Sequence, residues 1–185
     1  TTDTNVTVVS DPITGSGTAE DPYIIPNLDA LKVFRDRVNG GTTYQNKFVK
    51  MADNLDIDLA SEGSWTPIGN KVNVFKGTFD GNGVIFRNLT INDSALNYAG
   101  LFGFMAPGTL KNINIVNVNI SANNCIGAIA GGTQGSTYID NCTVTGTINL
   151  SGNHYIGGIS GWSYANTTDC LVDGGNAATS FIHGA

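Results

Sequence analysis

The chain has 185 residues, of which only 13% are charged, and its formal net charge is −6. No Lys or Arg follows Lys111, which argues against nucleic acid or an anionic membrane surface as a partner, because both require basic clusters. No apolar run approaches the ~18 residues a spanning helix needs, so no membrane insertion is expected, and the length suits one domain with its own core.

Residues 1–60 read as an N-terminal cap segment. Thr1-Thr2-Asp3-Thr4 shows no signal-peptide pattern, so the chain is expected to be a mature or trimmed segment. A helix is predicted over 27–39. Asn27 follows Pro26 as its N-cap, and Leu28, Leu31, Phe34 and Val38 fall on one face. Asp29 sits in the first turn, Arg35 and Arg37 near the end, and Gly40-Gly41 stops it. Its expected role is to cover the first coil of the repeat region. Phe48-Val49-Lys50-Met51 and Leu55-Asp56-Ile57-Asp58-Leu59 read as strands, the second with both carboxylates on one face.

Residues 61–185 repeat. The segments starting at Phe86, Leu110, Ile139 and Thr167 superpose at offsets of 24, 29 and 28 residues, with Asn88, Asn112, Asn141 and Asp169 in one column. The apolar alternation breaks parity near that column, as expected where a chain turns a corner; Asn tolerates left-handed backbone and can hydrogen-bond from coil to coil. A second repeat aligns Tyr98-Ala99-Gly100-Leu101-Phe102-Gly103 with the segments at Cys125 and Tyr155, the first copy being one residue shorter. Recurrent glycine suggests close backbone approach between coils. A period in this range marks a stacked solenoid. The fold class is therefore all-β, a parallel β-helix with an N-terminal cap. A leucine-rich repeat fits worse, because residues 83–185 lack a helical apolar period.

Gly100-Leu101-Phe102-Gly103 resembles the GLUG motif of bacterial surface proteins. Trp65-Thr66-Pro67-Ile68-Gly69-Asn70 and Phe75-Lys76-Gly77-Thr78-Phe79-Asp80-Gly81-Asn82-Gly83 resemble the stretch that precedes the first such repeat. Gly15-Ser16-Gly17-Thr18-Ala19-Glu20-Asp21-Pro22-Tyr23 resembles the start of its cap. The resemblance covers roughly residues 13–172, with one departure at Val84, where the family pattern has histidine. It implies a right-handed parallel β-helix and an exported, adhesin-like protein at the bacterial cell surface. It supplies no catalytic residue. Since a solenoid needs a capped end, residues 180–185 read as the start of a further repeat and the native protein is expected to continue with further domains.

Asp53, Asp56 and Asp58 form an acidic cluster that could hold Ca²⁺, although the spacing is not an EF-hand and a solvated face is the plainer reading. Trp162, Tyr164, Tyr155 and Tyr138 are candidates for stacking on a sugar or meeting a protein ligand, or else for covering glycine corners. Asp140 is the sole acid between Asp93 and Asp169 and aligns with Lys111 one coil earlier, a candidate surface ion pair. That scarcity argues against the polysaccharide lyase or glycoside hydrolase alternative, which needs acids clustered on neighbouring coils. No zinc-peptidase motif, serine-hydrolase elbow or P-loop is present, and no cofactor is expected. Cys142 and Cys170 share a column on adjacent coils, while Cys125 falls with Tyr98 and Tyr155; the odd count is no disulfide framework. The expected function is a non-catalytic adhesion or recognition module for a host or matrix glycan or protein, with a passive stalk as the alternative.

Overall fold

The computed structural model describes residues 10–175 and the backbone of Phe181–Gly184. The readings placed on residues 1–9, 176–180 and 185, and on the His183 side chain, lie outside the described residues. The chain begins with β1 (Tyr23–Ile25), α1 (Leu28–Asn39), β2 (Phe48–Met51), β3 (Asp56–Asp58), a short 3-10 turn at Ala60–Glu62 and β4 (Thr78–Asp80). Next come β5 (Ile85–Ala99), β6 (Phe102–Met105) and β7 (Gly108–Lys111), then β8 (Asn114–Gly127), β9 (Ala130–Thr133) and β10 (Thr137–Asp140). The series ends with β11 (Thr143–Gly152), β12 (His154–Gly157), β13 (Ser160–Trp162), β14 (Asn166–Thr168), β15 (Leu171–Asp173) and β16 (Phe181–Gly184).

Successive coils stack as a parallel β-solenoid with three sheets. The first has the order β1-β2-β4-β7-β10-β14, the second β3-β5-β8-β11-β15 with β12 and β16 attached, and the third β6-β9-β13. All of their strand pairs are parallel. Inward side chains form columns one coil spacing, ~4.8 Å, apart. Phe79, Leu110 and Ile139 make one column, and Phe86, Ile115 and Val144 another, every member fully buried.

Helix α1 is the predicted one. Asn27 Oδ1 accepts the Ala30 N–H at 2.9 Å, and the Gly40 N–H bonds Asp36 O at 2.8 Å. Its buried face is Ala30, Leu31, Phe34 and Val38. Phe34 packs on Phe75 and Phe79 at 5.6 and 5.7 Å between centroids, and Phe79 meets Phe102 at 5.1 Å. The helix therefore closes the N-terminal end of the stack with an aromatic plug. On its other side, Arg35 lies 4.8 Å from the Trp65 ring centroid.

The structure corrects the first repeat offset. Phe86 faces Ile115, and the residue of the preceding coil that faces Leu110 is Phe79. The 24-residue offset superposes two different corners. Asn88 (φ 58°) turns the corner shared with Asn117 (φ 62°) and Gly146 (φ 77°), whereas Asn112 (φ 55°) belongs with Asn141 (φ 48°) and Asp169 (φ 49°). Both corners place a left-handed Asn two residues after one buried apolar side chain and one before the next, as in Phe86-Arg87-Asn88-Leu89 and Leu110-Lys111-Asn112-Ile113, so local chemistry produces the same short motif twice per coil. The offsets of 29 and 28 hold, and so does the glycine alignment. Ala99 faces Ile126 and Phe102 faces Ala130, which confirms the one-residue difference between copies.

The Asn corners form directed ladders. Asn141 Nδ2 donates to Asn112 Oδ1, and Asn112 Nδ2 to Asp80 Oδ1, each at 2.8 Å. Asn117 Nδ2 donates to Asn88 Oδ1 at 3.4 Å, and Asn88 Nδ2 to Asp58 Oδ1 at 3.0 Å. A third ladder runs from Asn153 through Asn123 to Asn97 at 2.7 and 3.1 Å. Every amide donates towards the N-terminal coil, and two of the ladders end on a carboxylate, the stronger acceptor.

Candidate functional site

Phe104, Gly132 and Trp162 occupy one register position on the third sheet. Gly132 leaves the middle coil without a side chain; a Cβ there would lie 2.6 Å from the Tyr98 ring and 2.8 Å from Phe104. The rings close over the gap. Phe104 and Trp162 stack at 6.1 Å, Tyr98 meets Phe104 edge-on at 4.9 Å, and Tyr164 meets Trp162 edge-on at 5.1 Å. The Lys71 ammonium lies 4.8, 4.9 and 5.4 Å from the Phe104, Trp162 and Tyr98 ring centroids. Phe104 is buried, Trp162 half-buried and Tyr164 65% exposed, so the cluster has a dry base and a wet rim.

Sequence reasoning found Trp162 and Tyr164, and the structure brings them together. It does not bring in the other two: among the described residues neither Tyr155 nor Tyr138 makes ring contact with them. Tyr155 packs edge-on with His154 at 6.4 Å, and Tyr138 lies on the first sheet, in register with Thr109 and Asn166. Tyr98, Phe104 and Lys71 were missed. Extending the glycine alignment by one residue would have placed Phe104 in the Trp162 column. Lys71 comes from a loop, where no periodic signal exists.

The acidic trio is engaged along the stack. Asp53 Oδ1 accepts from Asn82 Nδ2 at 2.6 Å. Asp56 takes Arg87 Nε at 2.8 Å, and Asp58 caps the Ala60 N–H at 2.9 Å. The backbone bond from Ala60 and the amide of Asn88 hold the Asp58 carboxyl below the usual range. Among the described residues no group of three His, Cys, Asp or Glu is arranged to hold a metal. The expected Asp140–Lys111 pair is also corrected. Both Asp80 and Asp140 face Lys111, but the Lys111 ammonium lies 3.3 Å from Asp80, while Asp140 accepts the Thr168 hydroxyl.

Burial pushes the Asp80 carboxyl up, but Asn112, the Asn82 N–H and Lys111 together outweigh it and hold it below the ordinary aspartate value. A carboxylate depressed in the fold contributes stability that is present above its unfolded value and lost as pH falls through its folded one. Melting temperature is therefore expected to fall as pH drops below about 4. Asp80→Asn is expected to flatten that slope while lowering stability near neutrality; an unchanged acid slope would show that the ladder end does not couple to folding.

Cys142 is fully buried, Cys170 half-buried and Cys125 buried, and all three are free thiols. Burial pushes the Cys142 thiol up to about 12, so it behaves as a small apolar side chain.

No known family profile and no solved structure matches the chain. It is 34% identical over 143 residues to halomucin of Haloquadratum walsbyi, an alignment covering 73% of this chain and 2% of that protein. It is 31% identical over 138 residues to a protein of Evansella cellulosilytica named as a Gly-rich membrane protein, covering 70% of this chain and 15% of that one. The chain thus spans a small fraction of each relative. Among the described residues no helix is long and apolar enough to cross a membrane.

Proposed function

We infer that this chain is a non-catalytic recognition module carried at the cell surface by a larger exported protein. The names of the two relatives, a mucin-like name and a membrane protein, support the surface placement, and their much greater lengths support further domains. The glycine repeat at Gly100, Gly127 and Gly157 supports grouping it with GLUG-motif surface proteins. The observation that carries recognition over a purely passive role is the aromatic cluster. Tyr164, 65% exposed, extends past the rings that close over Gly132. Such rings offer apolar faces to a sugar or a protein side chain, and the Tyr164 hydroxyl adds a polar group at the rim. One observation favours the stalk: the ladders engage many of the outward amides within the coil stack itself.

An array of glycans and extracellular-matrix proteins, probed with Ca²⁺ and with chelator, tests the reading. A saturable, selective signal is expected, weakened about tenfold by Trp162→Ala or Tyr164→Ala, as a central aromatic contact would be. Loss only in chelator would move the site to Asp53, Asp56 and Asp58. Silence throughout would favour the stalk.

A further inference from the structure

The nine basic residues are unevenly placed. Four of them, Lys47, Lys50, Lys76 and Lys111, line two adjoining hollows of about 390 and 360 Å³ on the outer face of the first sheet. Phe48 and Thr78 line both hollows, so they are halves of one trough across β2, β4 and β7. Two carboxylates, Glu20 and Asp80, share it. Asp80 is committed to Lys111, Asn82 and Asn112. Lys47 Nζ reaches Ser16 O at 3.3 Å. Lys50 and Lys76 form no ion pair among the described residues. A chain with a net charge of −6 thus presents one cationic trough.

We propose that this trough is a binding site for an acidic polysaccharide, distinct from the aromatic cluster. Outward residues stand in two rows, Phe48–Thr78–Thr109 and Lys50–Asp80–Lys111, repeating every ~4.8 Å along the stack. Phe48 is 38% exposed and lies between Lys47 and Lys50 in sequence. A sugar ring can stack on Phe48, its hydroxyls can bond Thr78, and its carboxylates or sulfates can meet the two unpaired ammoniums. An acidic peptide matches the charge but not the place. Peptides gain most by adding a strand at an open sheet edge, whereas β2, β4 and β7 already pair with one another and offer only side chains on this face. The remaining cations include Arg87, paired with Asp56, and Arg37, paired with Asp11, so no rival cationic groove competes on those faces.

The test is binding of the full chain to polygalacturonate, dextran and polyglutamate by calorimetry at low and high salt. Polygalacturonate is expected to bind at low salt and weaken as salt rises, with dextran and polyglutamate weaker. Lys50→Glu with Lys76→Glu is expected to lower polygalacturonate affinity by about tenfold or more, the combined loss of two exposed ion pairs. Neither lysine forms an ion pair among the described residues, and an unchanged melting temperature would confirm that the double variant folds. Trp162→Ala is expected to leave this affinity within about twofold, since the sites share no residue. No polygalacturonate binding, equal binding by the double variant, or equal binding of polyglutamate would overturn the proposal. Loss in Trp162→Ala alone would also overturn it and place the ligand on the aromatic cluster. Array silence with intact polygalacturonate binding would instead count against the aromatic cluster only.

Discussion

Phe79→Ala is expected to lower the unfolding free energy by about 3–5 kcal/mol, the range for removing a fully buried aromatic side chain. Phe79 has no solvent exposure, and it joins the helix to the coils: Phe34 stacks on it from α1, and it meets Phe102 of the third sheet. The hole cannot collapse easily, because its walls are strands fixed by parallel pairing on both sides, β2 and β7. Urea denaturation should show a lower midpoint. In a solenoid each coil contacts only its neighbours, so the loss should be local. Hydrogen exchange is expected to speed up in α1 and β2 while the β8–β11 pairs keep their protection. A loss below about 1 kcal/mol would mean that the aromatic plug is not what fastens the cap. Phe79→Leu should lose less, since it keeps an apolar group in the column.

Much of this arrangement was legible in the residues. The helix needed only its periodicity, its Asn cap and its stopping glycine, and all three act locally. The strand columns were legible because one face of each strand is buried, which imposes a period of two. The false 24-residue offset shows where this reasoning ends. Asn88 and Asn112 satisfy the same left-handed corner, so sequence similarity marks the corner type and not the position around the coil. Only strand register separates them. The same limit applies to Asp140, which lies opposite Lys111 although Asp80 wins the pairing from the other side. For the candidate sites, the outward columns were readable and the loops were not. Trp162 and Tyr164 lie on or beside a strand with a repeat signature, whereas Lys71 belongs to a turn whose Val72 and Asn73 N–H groups bond the Asn70 side chain. The trough was invisible for a related reason, since Lys47, Lys50, Lys76 and Lys111 span 65 residues of sequence and meet only when the coils stack.

Gly131→Ala should be among the most damaging single methyl additions. A Cβ at Gly131 would lie 2.3 Å from the Tyr98 carbonyl carbon and 2.5 Å from the Ala99 nitrogen. These are backbone atoms of β5, a long strand paired to β3 and β8, so no side chain can swing aside. The φ of Gly131 is not positive, so the residue is there for space and not for conformation. Gly161 repeats the arrangement one coil later, with a would-be Cβ 2.4 Å from the Ile126 nitrogen. The glycine column therefore sets how closely the third sheet approaches the strands behind it. Gly83 supplies the control. It has φ 72° but nothing within 4 Å of its would-be Cβ. Gly83→Ala should cost about 1–2 kcal/mol, the strain of a left-handed alanine. Gly131→Ala should exceed that, above about 3 kcal/mol, because overpacking against fixed backbone must push neighbouring coils apart. Thermal melts of the two variants beside the parent protein would decide it. If Gly131→Ala proved the milder, the repeated glycine would have to be explained by something other than the contact between coils.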